Sequence, residues 1–233
     1  MIKRFTCMVV VLAILLPVAN PASADIRVAA GSVHYTGPIS DTLNQRLFEA
    51  VQGKDIRRLI ITSAGGEVAA GISLGLWVYE HRLDIEVPAY CLSACANYVF
   101  PAGRHKSIGA GAIVAWHGNY HHLKQTGLWR DDIPSRMERH GEDAATALVQ
   151  VQDEVERLAG LESDFYTRIG VDEYLCWIGK MPPYNVPNYY FLSEHDMARF
   201  GVTQVRIPPE YENTDVSGFG VHIMYLELRA SEF

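Results

Sequence analysis

Between Ser32 and Trp116 the chain alternates short apolar runs with segments of helical period, and this alternation constrains the fold more than any other feature. Ser32–Tyr35 reads as a strand ending at Gly37-Pro38. Ser40 stands where a cap is wanted before a helix over about Asp41–Gln52, whose Leu43, Leu47 and Val51 share one face. Arg58–Thr62 is a buried-strand pattern. A helix over about Val68–His81 follows, periodic in Ile72, Leu76 and Tyr79. Ile85–Tyr90 reads as the next strand, Ser93–Ala102 as a helix stopped by Gly103, and Ala112–Trp116 as a further strand. Strands joined by helices in this order need right-handed crossovers, which predicts an α/β fold on a largely parallel sheet.

Beyond Trp116 the pattern loosens. Gly118–Gly141 is polar and aromatic and reads as an irregular excursion. Ala144–Arg168 is an amphipathic helix with Leu148, Val151, Val155 and Leu158 as its seam. Met181–Asn188 is a proline-rich loop, Ser193 caps a short helix to Phe200, and Val221–Leu228 reads as one late strand.

The first 24 residues have the make-up of an export leader. Lys3 and Arg4 precede an apolar stretch from Met8 to Val18, and Ala22-Ser-Ala24 forms a small-residue cleavage site. The stretch falls short of the roughly 20 apolar residues that span a bilayer, so cleavage after Ala24 is expected in preference to a retained anchor. Residues 25–233 then form a single periplasmic or secreted domain with no further membrane span. The formal charge of −7 becomes more negative once Lys3 and Arg4 are gone, and no basic run offers itself to nucleic acid.

Three short motifs carry chemistry. Ser63-Ala-Gly-Gly-Glu67 closes a strand with a turn in which the Gly66 N–H can approach a ligand closely. Cys91-Leu-Ser-Ala-Cys95 places Ser93 between a strand and a helix, with the Ala94 N–H beside it. Trp116-His-Gly118 puts His117 at the end of the following strand. A serine hydroxyl needs a base to take its proton and donors to hold the developing oxyanion. The set therefore outlines an acyl-transfer site, with Ser93 as nucleophile, His117 as base, and Gly66 and Ala94 as the oxyanion hole. The bland alternatives are a helix cap, a tight turn and a structural histidine. His121 and His122 read as loop residues that could also line the site.

Cys91, Cys95 and Cys176 remain after cleavage. Export favours a Cys91–Cys95 disulfide across the serine corner. Reduced packing cysteines and a metal site are the alternatives, the latter poorly supported because no paired Cys or His lies at short spacing elsewhere.

These residues resemble the Clp protease proteolytic subunit and its relatives in the crotonase-like superfamily. The likeness runs from about Ser32 to Val202, through Tyr35-Thr-Gly-Pro-Ile-Ser40, Ile61–Val68, Ser93, Gly103-Arg104, His117, Phe165–Gly170, Phe191–Glu194 and Phe200-Gly-Val202. The Cys-x-Ser-Ala-Cys form is similar to a group of exported Clp-protease-like bacterial proteins. The resemblance implies a parallel sheet with ββα-type crossover units, serine peptidase activity on peptide or unfolded protein, no cofactor, and homo-oligomers. It places the base at His117. Where the family has an aspartate that orients this histidine, the chain has Tyr189. The third member is then absent, or is Asn188, Asp172, Asp164 or Glu173. A Ser–Lys site using Lys106 or Lys180 is the alternative mechanism, and a catalytically impaired binding or scaffold protein the alternative function. A further reading, an enzyme that stabilises a thioester enolate, would use the same oxyanion turn.

Overall fold

The computed structural model describes residues 24–141 and 143–229; the segment read as an export leader, with its expected cleavage site, lies almost wholly outside them. In chain order the elements are β1 (Asp25–Ala29), β2 (Ser32–Thr36), α1 (Asp41–Val51), β3 (Arg58–Thr62), α2 (Val68–Glu80), β4 (Asp84–Val87), β5 (Tyr90–Leu92), β6 (Lys106–Ile108) and β7 (Ile113–Ala115). They continue with α3 (Tyr120–Thr126), α4 (Ile133–His140), α5 (Ala144–Ile169), β8 (Tyr189–Leu192), α6 (Glu194–Arg199), β9 (Val205–Arg206) and β10 (Ile223–Leu226).

The main sheet has the order β1-β2-β3-β4-β6-β9. Only β1, which turns back on β2 through Ala30-Gly31, is antiparallel; the remaining pairs are parallel. The protein is therefore a mixed α/β chain with a mostly parallel central sheet. Val33, Tyr35, Leu59, Ile61, Ile85 and Val87 fill the interior, and Leu43, Leu47 and Val51 close one side from α1. Ser40 caps α1 by accepting the Leu43 N–H at 3.3 Å.

The span expected as one strand, Ile85–Tyr90, is two. Pro88 has no N–H to give a ladder, and the chain leaves the main sheet there. β5 then pairs in parallel with β7, and β10 with β8. Single bridges join these pieces, Ser63 to Cys91 and Trp116 to Tyr190. The ends of β3, β5, β7 and β8 thus lie side by side, which is what assembles the site.

The helix expected over Ser93–Ala102 is instead one wide π-helical turn, Cys95–Val99, in which the Phe100 N–H reaches the Cys95 carbonyl at 3.0 Å. Side chains occupy the carbonyls of this turn: the Trp116 indole N–H donates to Ala96 O and the Tyr166 hydroxyl to Asn97 O. The excursion after Gly118 also differs from expectation, because it folds into α3 and α4. Asn119 caps α3 by accepting the His122 N–H at 2.9 Å, and Gly127, at φ 72°, ends it. Trp129 packs with Val151 and Val155 of α5 in a small satellite core. The late strand shortens to β10, and among the described residues no helix is long and apolar enough to cross a membrane.

Candidate active site

Ser93 sits at φ 54°, a left-handed conformation that a residue with a Cβ adopts at a cost. Its N–H bonds Ala115 O at 3.2 Å, and its carbonyl accepts the Asn97 N–H one turn later at 2.8 Å. The corner is also spanned by a disulfide between Cys91 and Cys95, whose Cα atoms are 5.2 Å apart and whose side chains are fully buried. This pairing removes the reduced and metal alternatives for the two cysteines. Cys176 is a free buried thiol that contacts the Tyr166 hydroxyl at 2.8 Å, its pKa pushed well up by burial.

His117 follows β7, and its backbone is fixed on both sides. Trp116 exchanges two hydrogen bonds with Tyr190, and the Gly118 N–H donates to Cys176 O at 2.7 Å. The Ser93 hydroxyl and His117 Nε2 stand 2.8 Å apart. With Nε2 accepting the hydroxyl proton, the ring hydrogen is on Nδ1.

The glycine turn reaches the same place from β3. A Cβ on Gly65, at φ 95°, would lie 2.6 Å from the Ser93 Cβ and 2.9 Å from the Ala94 N. One on Gly66 would lie 2.0 Å from Ile39 O, where the turn crosses the chain entering α1. Ile39 N–H and Glu67 N–H make the hydrogen bonds of that crossing. Among the described residues the N–H groups of Gly66 and Ala94 have no backbone partner, and both residues line a cleft of about 300 Å³ with Ser93 and His117. α2 starts two residues after Gly66, so the positive end of its backbone dipole adds to the field there.

No family model matches the chain, and no curated protein does.

Among the described residues no orienting carboxylate joins the pair. Asp172 caps the turn at Tyr174, whose N–H it accepts at 2.9 Å. Asp164 is exposed on α5. Glu173 pairs with His121 Nδ1 at 2.7 Å. Asn188 is exposed, and its carbonyl, not its side chain, is engaged, by Lys180 at 2.6 Å. Tyr189, the first residue of β8, stands beside the imidazole instead. Its ring lies 4.6 Å from the imidazole centroid, and its hydroxyl interacts with the Ser93 side chain.

Neither lysine substitutes for the histidine. Lys180 Nζ is held by three carbonyls, Val186, Pro187 and Asn188, at 3.1, 3.0 and 2.6 Å. Lys106 is buried at the start of β6, donating to Gly103 O, and is not among the residues that line the cleft of Ser93. Lys180 acts on the site by charge alone. His117 is an exposed residue, its ring packed against Tyr189. Burial of the packed ring, then Lys180, then His122 push its pKa down, with no carboxylate opposing them. The base is therefore neutral at pH 7.

Asn97, Tyr98, Tyr120 and Leu123 line the cleft and carried no signal that singled them out. His121 and His122, expected in a loop, lie in α3; His122 lines the cleft and His121 does not, and Asn119, the cap of α3, lines it too. Glu162 of α5, fully buried, holds α3 in place by accepting the Tyr98 hydroxyl and the N–H groups of Tyr120 and His121. The Asn119 cap was the one readable clue to this wall.

Proposed function

We propose that the chain is an exported serine hydrolase, a peptidase, with a Clp-protease-like, crotonase-type fold. The observation that carries this is the 2.8 Å Ser93–His117 contact beside two backbone N–H groups that have no backbone partner among the described residues. In this reading Ser93 Oγ attacks a carbonyl carbon of a peptide or unfolded chain as His117 Nε2 takes its proton. The oxyanion is met by the N–H groups of Gly66 and Ala94. His117 then protonates the departing amine, and water, deprotonated by the same imidazole, releases the acyl group from Ser93. No step calls for a cofactor.

The absence of a carboxylate at His117 Nδ1, with Lys180 nearby, makes the imidazolium costly to form. Removing such a carboxylate lowers turnover by about four orders of magnitude in serine proteases, so a slow enzyme is expected. The same observation favours a second reading, an impaired Clp-protease-like binding or scaffold protein. The Cys91–Cys95 bridge and the lack of a membrane-crossing helix among the described residues fit export. Self-association is part of the family likeness.

The test is labelling with a fluorophosphonate, beside Ser93→Ala and His117→Ala. Labelling of the parent that both substitutions abolish is expected. A folded, oxidised protein that takes up no label favours the binding reading.

A further inference from the structure

Features that the hydrolysis scheme leaves unused converge on Tyr189. Lys180 gathers the carbonyls of Val186, Pro187 and Asn188, the residues that lead into β8. The Tyr189 N–H donates to His222 O at 3.1 Å, where the tail strand β10 pairs with β8. The next residue, Tyr190, exchanges backbone hydrogen bonds with Trp116, the neighbour of His117. The backbone is thus held before, at and after Tyr189, and its half-buried side chain is delivered to the Ser93–His117 pair. Its ring centroid lies 4.6 Å from that of the imidazole, and its hydroxyl meets the Ser93 side chain. The serine hydroxyl has a single hydrogen, and His117 Nε2 at 2.8 Å accepts it. Tyr189 can then engage Ser93 Oγ in one sense only, as a donor. Burial outweighs the Ser93 contact and holds the phenol above its ordinary value, so the hydroxyl keeps its hydrogen across neutral pH.

Resting on the hydrolase reading above, we propose that Tyr189 is a third catalytic residue, which donates a hydrogen bond to Ser93 Oγ and stabilises the negative charge that grows there. In the attack the Ser93 proton passes to His117 Nε2 and an Oγ lone pair forms the bond to the carbonyl carbon. The carbonyl π pair moves to the oxyanion. When the acyl group is released, the Oγ–C bond breaks, its electron pair returns to Oγ, and His117 gives back the proton. Tyr189 keeps its own hydrogen in both steps. Its bond is neutral in the resting site and gains charge-assisted character as Oγ becomes anionic. It is therefore stronger in the transition state than in the ground state, which is the condition for lowering a barrier. A carboxylate on Nδ1 would act on the base, whereas this hydroxyl acts on the nucleophile. The loop at 181–188 and the tail strand β10 line no part of the cleft, and in this account they are the frame that holds Tyr189 in place.

The experiment follows the rate of fluorophosphonate labelling of the oxidised chain across the acid limb and the plateau above it, in the parent and in Tyr189→Phe. Urea unfolding is measured beside each to show that both are folded. Tyr189→Phe keeps the ring against His117 and removes the hydroxyl alone. Its plateau rate is expected to lie about tenfold or more below that of the parent, the size of a lost hydrogen bond to a charged group. The midpoint of its acid limb should not move, because the surroundings of His117 are unchanged. A Tyr189→Phe protein that labels at the rate of the parent overturns the proposal and leaves the hydrolase reading standing. So does a slowed Tyr189→Phe protein whose midpoint shifts, since the loss then comes through His117 and not through Ser93. A parent that takes up no label defeats the hydrolase reading, and this proposal falls with it.

Discussion

Breaking the Cys91–Cys95 bond tests whether the cross-link is what keeps the nucleophile poised. Ser93 occupies a left-handed conformation at φ 54° that costs a residue with a Cβ roughly 1–2 kcal/mol. At a sequence separation of 4 the bridge closes a loop of about five residues, worth about 2 kcal/mol in the chain-entropy account. The two quantities are matched, so loss of the bond makes relaxation of the corner competitive with the active arrangement. If the whole loss falls on the corner, the rate of fluorophosphonate labelling drops by up to about 30-fold, the factor equivalent to 2 kcal/mol. If part is felt globally, the urea unfolding free energy drops by the remainder. Protein refolded under reducing conditions is the cleaner perturbation, because both buried sulfur atoms stay in place. Cys91→Ala/Cys95→Ala adds a packing loss on top. Reduced protein with both unfolding free energy and labelling rate unchanged would refute the reasoning.

Only neutral imidazole can take the serine proton, so kcat/KM should rise with pH through the His117 pKa, which is lowered from 6.5 to about 4. The acid limb is expected below pH 6, and a midpoint at or above 6.5 would contradict the site electrostatics. The folded state binds fewer protons than the unfolded chain between these values, so stability should also fall as pH drops through that window. Lys180→Met removes a positive charge acting on His117 and should move the acid limb upward; an unmoved limb means that burial alone sets the pKa. Gly65→Ala drives a Cβ to 2.6 Å from the Ser93 Cβ at φ 95°. It should lower turnover by at least about 100-fold, the size of losing one oxyanion donor, and full activity would show that the turn does not abut the nucleophile.

The parts of the fold that were legible in the sequence are those where burial and period coincide. β3, its glycine turn and α2 were readable because Leu59 and Ile61 face the core and the turn needs glycine at two close approaches. Ser93 and His117 were readable as candidates because each follows an apolar strand. What bound them together, the bridge from Ser63 to Cys91 and that from Trp116 to Tyr190, is long-range pairing with no local signature. β1 was missed because its alternation leads only to half-buried positions at a sheet edge. α4 was missed because it buries no residue. The wide turn after Ser93 was read as an ordinary helix because Trp116 and Tyr166, which occupy its carbonyls, arrive from 20 and 69 residues away. Among the described residues none of Asn188, Asp172 and Asp164 is bonded to His117, which the sequence did not show for a related reason. Sequence shows which carboxylates and amides exist, and not that Tyr189 already covers the imidazole.

The order in which the chain supplies this cleft has a consequence for how such a protein can change. Gly66, Ser93, Ala94 and His117 all precede residue 119, whereas the opposite wall, Asn119 to Leu123, is a separate helix pinned by one buried side chain, Glu162. One side of the cleft is thus a single stretch of sequence, whereas Val68, Asn97 and Tyr98 of the other side are interleaved with Gly66, Ser93 and His117. On the proposed reading, substitutions within 119–126 would change what the cleft admits while Ser93 and His117 keep their strand-end anchors.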